Sequence, residues 1–219
     1  MGNRKPLESI FVSSRIYTGN GKPFAGYIRV LGNKIADIGA GKPRNVLSTK
    51  AFSAGVTDAG DNMIIPGLID LHIHGSGGYD VSSSDQGTFY SLGQYLAKTG
   101  TTSFLPTLGA MPADIIEDTI KRVRDHILNE KEMGASEEEW EKAQQDKAAF
   151  QKWGQDIAQA QILGLHLEGP FLNPLKKGAM REEYLIEPSI DLAIKWWELS
   201  ANTLNRVTIA PELAGAREV

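Results

Sequence analysis

The sequence predicts an α/β protein built on a parallel sheet or barrel. Three observations lead there. From residue 64 onward four apolar, strand-like runs alternate with segments of helical spacing. The sixty residues before them read as strands alone. Polar side chains collect toward the C-terminal ends of the later runs, where folds of this class place their chemistry.

In the first part, "GYIRVLGNKIADIG" holds two short β-prone runs around Gly32 and Asn33, residue types that favour a tight hairpin turn. The four later runs are "MIIPGLIDLHIHG", "TTSFLPTL", "QILGLHLEGP" and "RVTIAPE". Between the first two, residues 85–98 place Phe89, Leu92 and Leu96 on one side of a helix that stops before Gly100. A second helix starts near Pro112 and repeats Ile116, Ile120, Val123 and Ile127; its other faces are charged, so it is expected to lie against a sheet. Ser136 with Glu139 forms a capping box for a further helix bearing Trp140, Ala143, Phe150 and Trp153, and the charged stretch 134–160 reads as an insertion on the outside. A last helix opens at Ser189 after Pro188 and is expected to bury Ile190, Ile194 and Trp197. Two domains follow from this division, residues 1–62 and 63–219.

Bulk composition narrows the function classes. The 219 residues are 41% hydrophobic and 23% charged, the balance of a globular protein. A net charge of −4 without basic clusters argues against nucleic acid and leaves a small molecule as the expected partner. Cysteine is absent, which excludes disulfides, thiolate metal sites and a cysteine nucleophile, so any metal must rest on His, Asp or Glu. "MGNRKPLESIFVSS" has no long apolar core and no run is long enough to span a bilayer; the expected location is cytoplasmic, with no membrane partner.

Strand alternation turns "LIDLHIH" into chemistry. Ile69, Leu71 and Ile73 point one way, toward covering helices, while Asp70, His72 and His74 point the other, so two imidazoles converge next to "GSGG". In the third run Leu163, Leu165 and Leu167 alternate with Gly164, His166 and Glu168, and Glu168 ends the strand. Two imidazoles and a carboxylate make an N,N,O set suited to zinc or another first-row divalent ion. From spacing alone two readings stay open for the histidines, metal ligands or hydrogen-bonded structure, and for Glu168 a salt bridge or cap is equally open. His166 is placed to orient a ligand or substrate, or to be a buried hydrogen-bonded histidine. His126, between charged neighbours on the second helix, reads as a solvated surface residue, and Trp196 with Trp197 as packing. "GSGG" lacks the partners of a phosphate-binding loop.

The motifs also carry a resemblance. "PGLIDLHIHGSGG", "GTTSFLPTL", "LGLHLEGPFLNPLKKGAM" and "VTIAPE" occur in the order and approximate spacing of the N-acetylglucosamine-6-phosphate deacetylases, within the metal-dependent amidohydrolase superfamily. The likeness runs from residue 9 to 213, apart from the charged segment, and "HLEGPFLNPLKKGA" is its most specific part. It implies the N-terminal half of a (β/α)8 TIM-type barrel plus part of a small β-sandwich. Glu168 becomes the protein carboxylate on the main metal, His72 and His74 serve a second metal position, and the backbone at Ala179 lies against substrate. Met180 stands where the family often has histidine.

The implied cofactor is a divalent metal, zinc above others, as one or two ions. The implied reaction converts N-acetylglucosamine 6-phosphate to glucosamine 6-phosphate and acetate, in a complete protein that is a homo-oligomer. No catalytic residue is assigned within this chain: the general base is an aspartate of a late strand, expected beyond residue 219. These residues alone are therefore expected to be inactive, half a barrel whose open edge needs more chain or a partner. Two alternatives accompany this reading: a truncated, non-catalytic relative that binds a ligand or partner, and an amidohydrolase for another N-acyl substrate.

Overall fold

The computed structural model describes residues 8–32, 34–41, 56–132 and 158–219. They divide into two compact units, one ending at Pro66 and the other beginning at Gly67. The expected capping box at Ser136 and Glu139, and the helix through Trp153, lie outside the described residues.

In the N-terminal unit, β1 (Glu8–Ile16), β2 (Phe24–Leu31) and β3 (Lys34–Ala40) form an antiparallel meander, and β4 (Val56–Asp58) and β5 (Met63–Ile64) run parallel to β1. Leu31 pairs with Lys34 across the expected hairpin, and Gly32 adopts a φ of 61°, the left-handed conformation a two-residue turn demands. Asn33, the other turn residue, lies outside the described residues. Ile10 and Ile16 are buried, whereas Ile35 and Ile38 on the outer strand are exposed.

The run "MIIPGLIDLHIHG" is two strands rather than one. Met63 and Ile64 pair with Arg15 and Ile16 in the first sheet, and a new strand begins at Leu68 in the second. Pro66 supplies the break, since it brings no N–H to a ladder and fixes φ.

The second unit runs β6 (Leu68–Ile73), a short hairpin β7 (Gly75–Ser76) and β8 (Tyr79–Asp80), α1 (Thr88–Lys98), β9 (Thr101–Gly109) and α2 (Ala113–Glu132). After it come β10 (Gln161–Ile162), β11 (Leu165–Glu168), α3 (Ile190–Leu199) and β12 (Leu204–Thr208). β6, β9, β11 and β12 lie side by side in that order, all parallel, and β10 adds a short pairing to β9. Phe89, Leu92 and Leu96 of α1 and Ile116, Ile120 and Val123 of α2 join Phe104, Leu108, Leu165 and Leu167 of the sheet in one buried cluster. These are the helix positions that the sequence spacing selects.

Three expectations are corrected. On α3, Ile190, Ile194 and Trp197 are 42%, 50% and 51% exposed and line an apolar groove of about 460 Å³ with Val207 and Ile209. The inward stripe is instead Leu192, Trp196 and Leu199, with the Trp196 ring 1% exposed and stacked on Phe171 at 5.7 Å. Both stripes have helical spacing and each carries a tryptophan; the ring that fills the space beside Phe171 is that of Trp196. On β6, Ile69 and Leu71 are 61% and 52% exposed rather than covered, because β6 is a sheet edge and α1 packs on β9 and the β7–β8 hairpin. His126 is half-buried rather than solvated, its ring 6.1 Å from that of Phe89, because α2 turns this face toward α1.

Candidate metal centre

The site begins with an interruption in the ladder between β6 and β9. Ile73 faces Pro106, which has no N–H to give, and the pairing register shifts between Asp70 and Ile73. The Ile73 N–H also donates to the hydroxyl of Thr107, 3.1 Å away. One residue earlier, the His72 N–H donates to the Asp70 carboxylate at 3.0 Å. Side chains thus reinforce the end of β6, and the rings of His72 and His74 lie edge to face with centroids 5.0 Å apart.

His74 Nδ1 lies 3.0 Å from the Thr107 carbonyl oxygen. A carbonyl only accepts, so Nδ1 carries the proton and Nε2 presents its lone pair. That Nε2 is 3.1 Å from Glu168 Oε2, and His72 Nε2 is 3.8 Å from the same oxygen. The three ligand atoms lie within 4.8 Å of one another. A lone pair aimed at a carboxylate oxygen is repulsive unless a proton or cation lies between them. Ligand atoms about 2.0–2.2 Å from one tetrahedral zinc stand about 3.4 Å apart, a value the two measured separations bracket, so these residues fit a first-row divalent ion.

His166 is placed differently from the other two histidines. It is 1% exposed, its Nδ1 is 3.2 Å from the Thr107 hydroxyl and its Nε2 is 2.8 Å from that of Thr208. Its ring centroid is 5.2 Å from that of His72. Burial foremost, then the guanidinium of Arg206 and the neighbouring His72 and His74, lowers its pKa from 6.5 to about 4. The unfolded chain therefore takes up this proton more readily than the folded one. The stability that depends on a neutral ring is complete above pH 6.5 and is lost as pH falls from 6.5 to about 4. Urea unfolding of the metal-free protein across that window is expected to show the loss, and His166→Gln to flatten it. An identical pH dependence in parent and variant would show that another group is responsible.

Ala179 is exposed, on the loop that follows the short turn Pro174–Lys176. Met180 beside it accepts from the Ala110 N–H at 3.4 Å, Sδ to N, and lies over Gly109, the register partner of Glu168. The loop bearing Ala179 is thereby anchored one strand away from the carboxylate. The "GSGG" turn has a structural purpose: Gly77 takes φ 63°, and a Cβ there would meet the Tyr95 ring at 2.6 Å.

Thr107, Thr208 and Asp70 were not singled out by spacing as holding groups. The signal for the first two is a hydroxyl at an inward position near the end of a strand, in "FLPTL" and "VTIAPE"; for Asp70 it is a carboxylate two residues before His72 on the same face.

No family model matches the chain. It is 28% identical over 187 residues to N-acetylglucosamine-6-phosphate deacetylase of Bacillus subtilis (strain 168), a match covering 85% of this chain and 40% of that protein. It is also 28% identical over 171 residues to N-acetylgalactosamine-6-phosphate deacetylase of Escherichia coli O157:H7, covering 78% of this chain and 38% of that protein. Among solved structures, N-acetylglucosamine-6-phosphate deacetylase from Pasteurella multocida superposes with a TM-score of 0.72 at 25% identity, over 97% of this chain and 47% of that chain. The chain spans less than half the length of each of these three proteins.

Proposed function

The chain is a relative of the N-acetylglucosamine-6-phosphate deacetylases, and from that kinship we propose that the protein carrying it hydrolyses the acetamide of N-acetylglucosamine 6-phosphate to glucosamine 6-phosphate and acetate. The observation that carries this is the convergence of His72, His74 and Glu168 at the ends of two neighbouring-but-one strands. The setting is cytoplasmic; among the described residues no helix is long and apolar enough to cross a membrane.

The parallel sheet is the first half of a (β/α)8 barrel, and the N-terminal sheet is part of a small sandwich. Two features support the barrel. The strands follow one another in sequence order, whereas a doubly wound sheet reverses order at a switch point. The sheet also curls: β6 and β12 are three strand spacings apart, about 14 Å if flat, yet Arg206 Nη1 on β12 reaches to 3.5 Å from the Leu71 carbonyl on β6.

In this reading His72, His74 and Glu168 hold a divalent ion, zinc by the character of the donors. When bound, the ion lowers the pKa of water toward neutrality and polarises the acetamide carbonyl. Thr107 and Asp70 keep the imidazoles aimed, His166 stays neutral and adds no competing positive charge, and the Ala179 backbone borders the sugar. The proton shuttled from water to the leaving amine needs a carboxylate of its own. The resemblance assigns that to an aspartate of a later strand, which these residues do not include, so activity belongs to the complete protein.

The kinship with an N-acetylgalactosamine-6-phosphate deacetylase favours a second reading, the epimeric sugar. Acetate release from both 6-phosphates tests the two together. Release with the higher kcat/KM on the glucosamine form is expected. A preference for the galactosamine form transfers the assignment, and binding without release from either leaves a non-catalytic relative.

A further inference from the structure

We infer that Thr107 is the positioning residue of this site, bracing the strand end that carries two imidazoles and fixing the ring nitrogens that His74 and His166 present; the inference rests on the metal reading above. The argument starts from the ladder. The β6–β9 ladder shifts register between Asp70 and Ile73, and at its end Ile73 pairs opposite Pro106. The Thr107 hydroxyl adds a contact there, accepting from the Ile73 N–H at 3.1 Å. The same residue's carbonyl takes the Nδ1–H of His74 at 3.0 Å, which turns Nε2 toward Glu168.

Proton accounting extends this to His166. Thr107 is 0% exposed and has one proton and two lone pairs to place. Its hydroxyl lies 3.2 Å from the Leu105 carbonyl, which can only accept, so the proton goes there. The lone pairs then receive the Ile73 N–H and the Nδ1–H of His166, and the Thr208 hydroxyl donates to His166 Nε2 at 2.8 Å. This arrangement uses every contact. The opposite tautomer spends the Thr107 proton on the ring and gives up the Leu105 carbonyl, a costly exchange in a buried cluster. Thr107 thus couples β6, β9 and β11 through one hydroxyl and one carbonyl, and it touches neither ion nor substrate.

The test compares native protein with Thr107→Val and Thr107→Ser, reading zinc affinity by competition with a chromophoric chelator and histidine tautomers by long-range nitrogen–proton NMR. Valine keeps the shape and loses the hydroxyl. It is expected to weaken zinc binding by about 10–100-fold, the usual effect of removing a group that orients a ligand, and to move His166 out of its Nδ1–H form. Serine is expected to restore both. Parental zinc affinity in a folded Thr107→Val protein overturns the inference while leaving the metal reading in place. Native protein that binds no zinc overturns the metal reading and this role with it. A native spectrum in which His166 or His74 carries its proton on Nε2 overturns the assignment without requiring any variant to fold.

Discussion

Glu168→Gln is expected to leave the fold intact, reduce acetate release to background and weaken zinc binding by about 100-fold or more, since a direct ligand matters at least as much as the groups that orient one. The amide is almost the same size and occupies the same partly exposed position. What it removes is charge. In the parent, one carboxylate oxygen faces His74 Nε2 at 3.1 Å and His72 Nε2 at 3.8 Å, the only anionic member of the cluster. With glutamine, two neutral imidazoles and a neutral amide face the ion, and none offsets its charge. Chelator competition and a coupled acetate assay measure the two effects separately. Near-parental acetate release would sink the assignment of Glu168. Lost release at unchanged zinc affinity would mean that the carboxylate acts on substrate rather than on metal.

Trp196→Ala is expected to cost about 3–5 kcal/mol of folding stability, the range for truncating a fully buried aromatic. The ring is 1% exposed and stacks on Phe171, directly after the cis Gly169–Pro170 bond that follows Glu168. Its neighbour Trp197 is 51% exposed, and the same truncation there is expected to cost about 1 kcal/mol or less. Urea unfolding of the two variants decides which stripe of α3 faces inward. Equal losses would mean that Trp197 is also covered in the native protein.

The site was more legible than its supports. His72, His74 and Glu168 follow from period-two alternation in two apolar runs, because a strand leaves a side chain only two faces. Helices offer more freedom: on α3 the stripes 190, 194, 197 and 192, 196, 199 are equally periodic, and only the space beside Phe171 separates them. The exposure of Ile69 and Leu71 was illegible for another reason. An aliphatic face shows that a strand wants cover, but whether a helix supplies it is decided by where α1 docks. Thr107 was missed because its partners, Ile73, His74 and His166, lie far from it along the chain, and no local pattern pairs such residues.

The consecutive order of β6, β9, β11 and β12 bears on how the protein is made. Each strand docks on one synthesised before it, so the sheet can grow along the direction of translation. The centre does not follow that schedule. Its histidines leave the ribosome with the first strand of the sheet and wait for the carboxylate on the third, with β9 between them. An ion captured at that moment would fasten two strands that are not neighbours in the sheet. On the proposed metal reading, metal supply is expected to act on the yield of folded protein as well as on turnover.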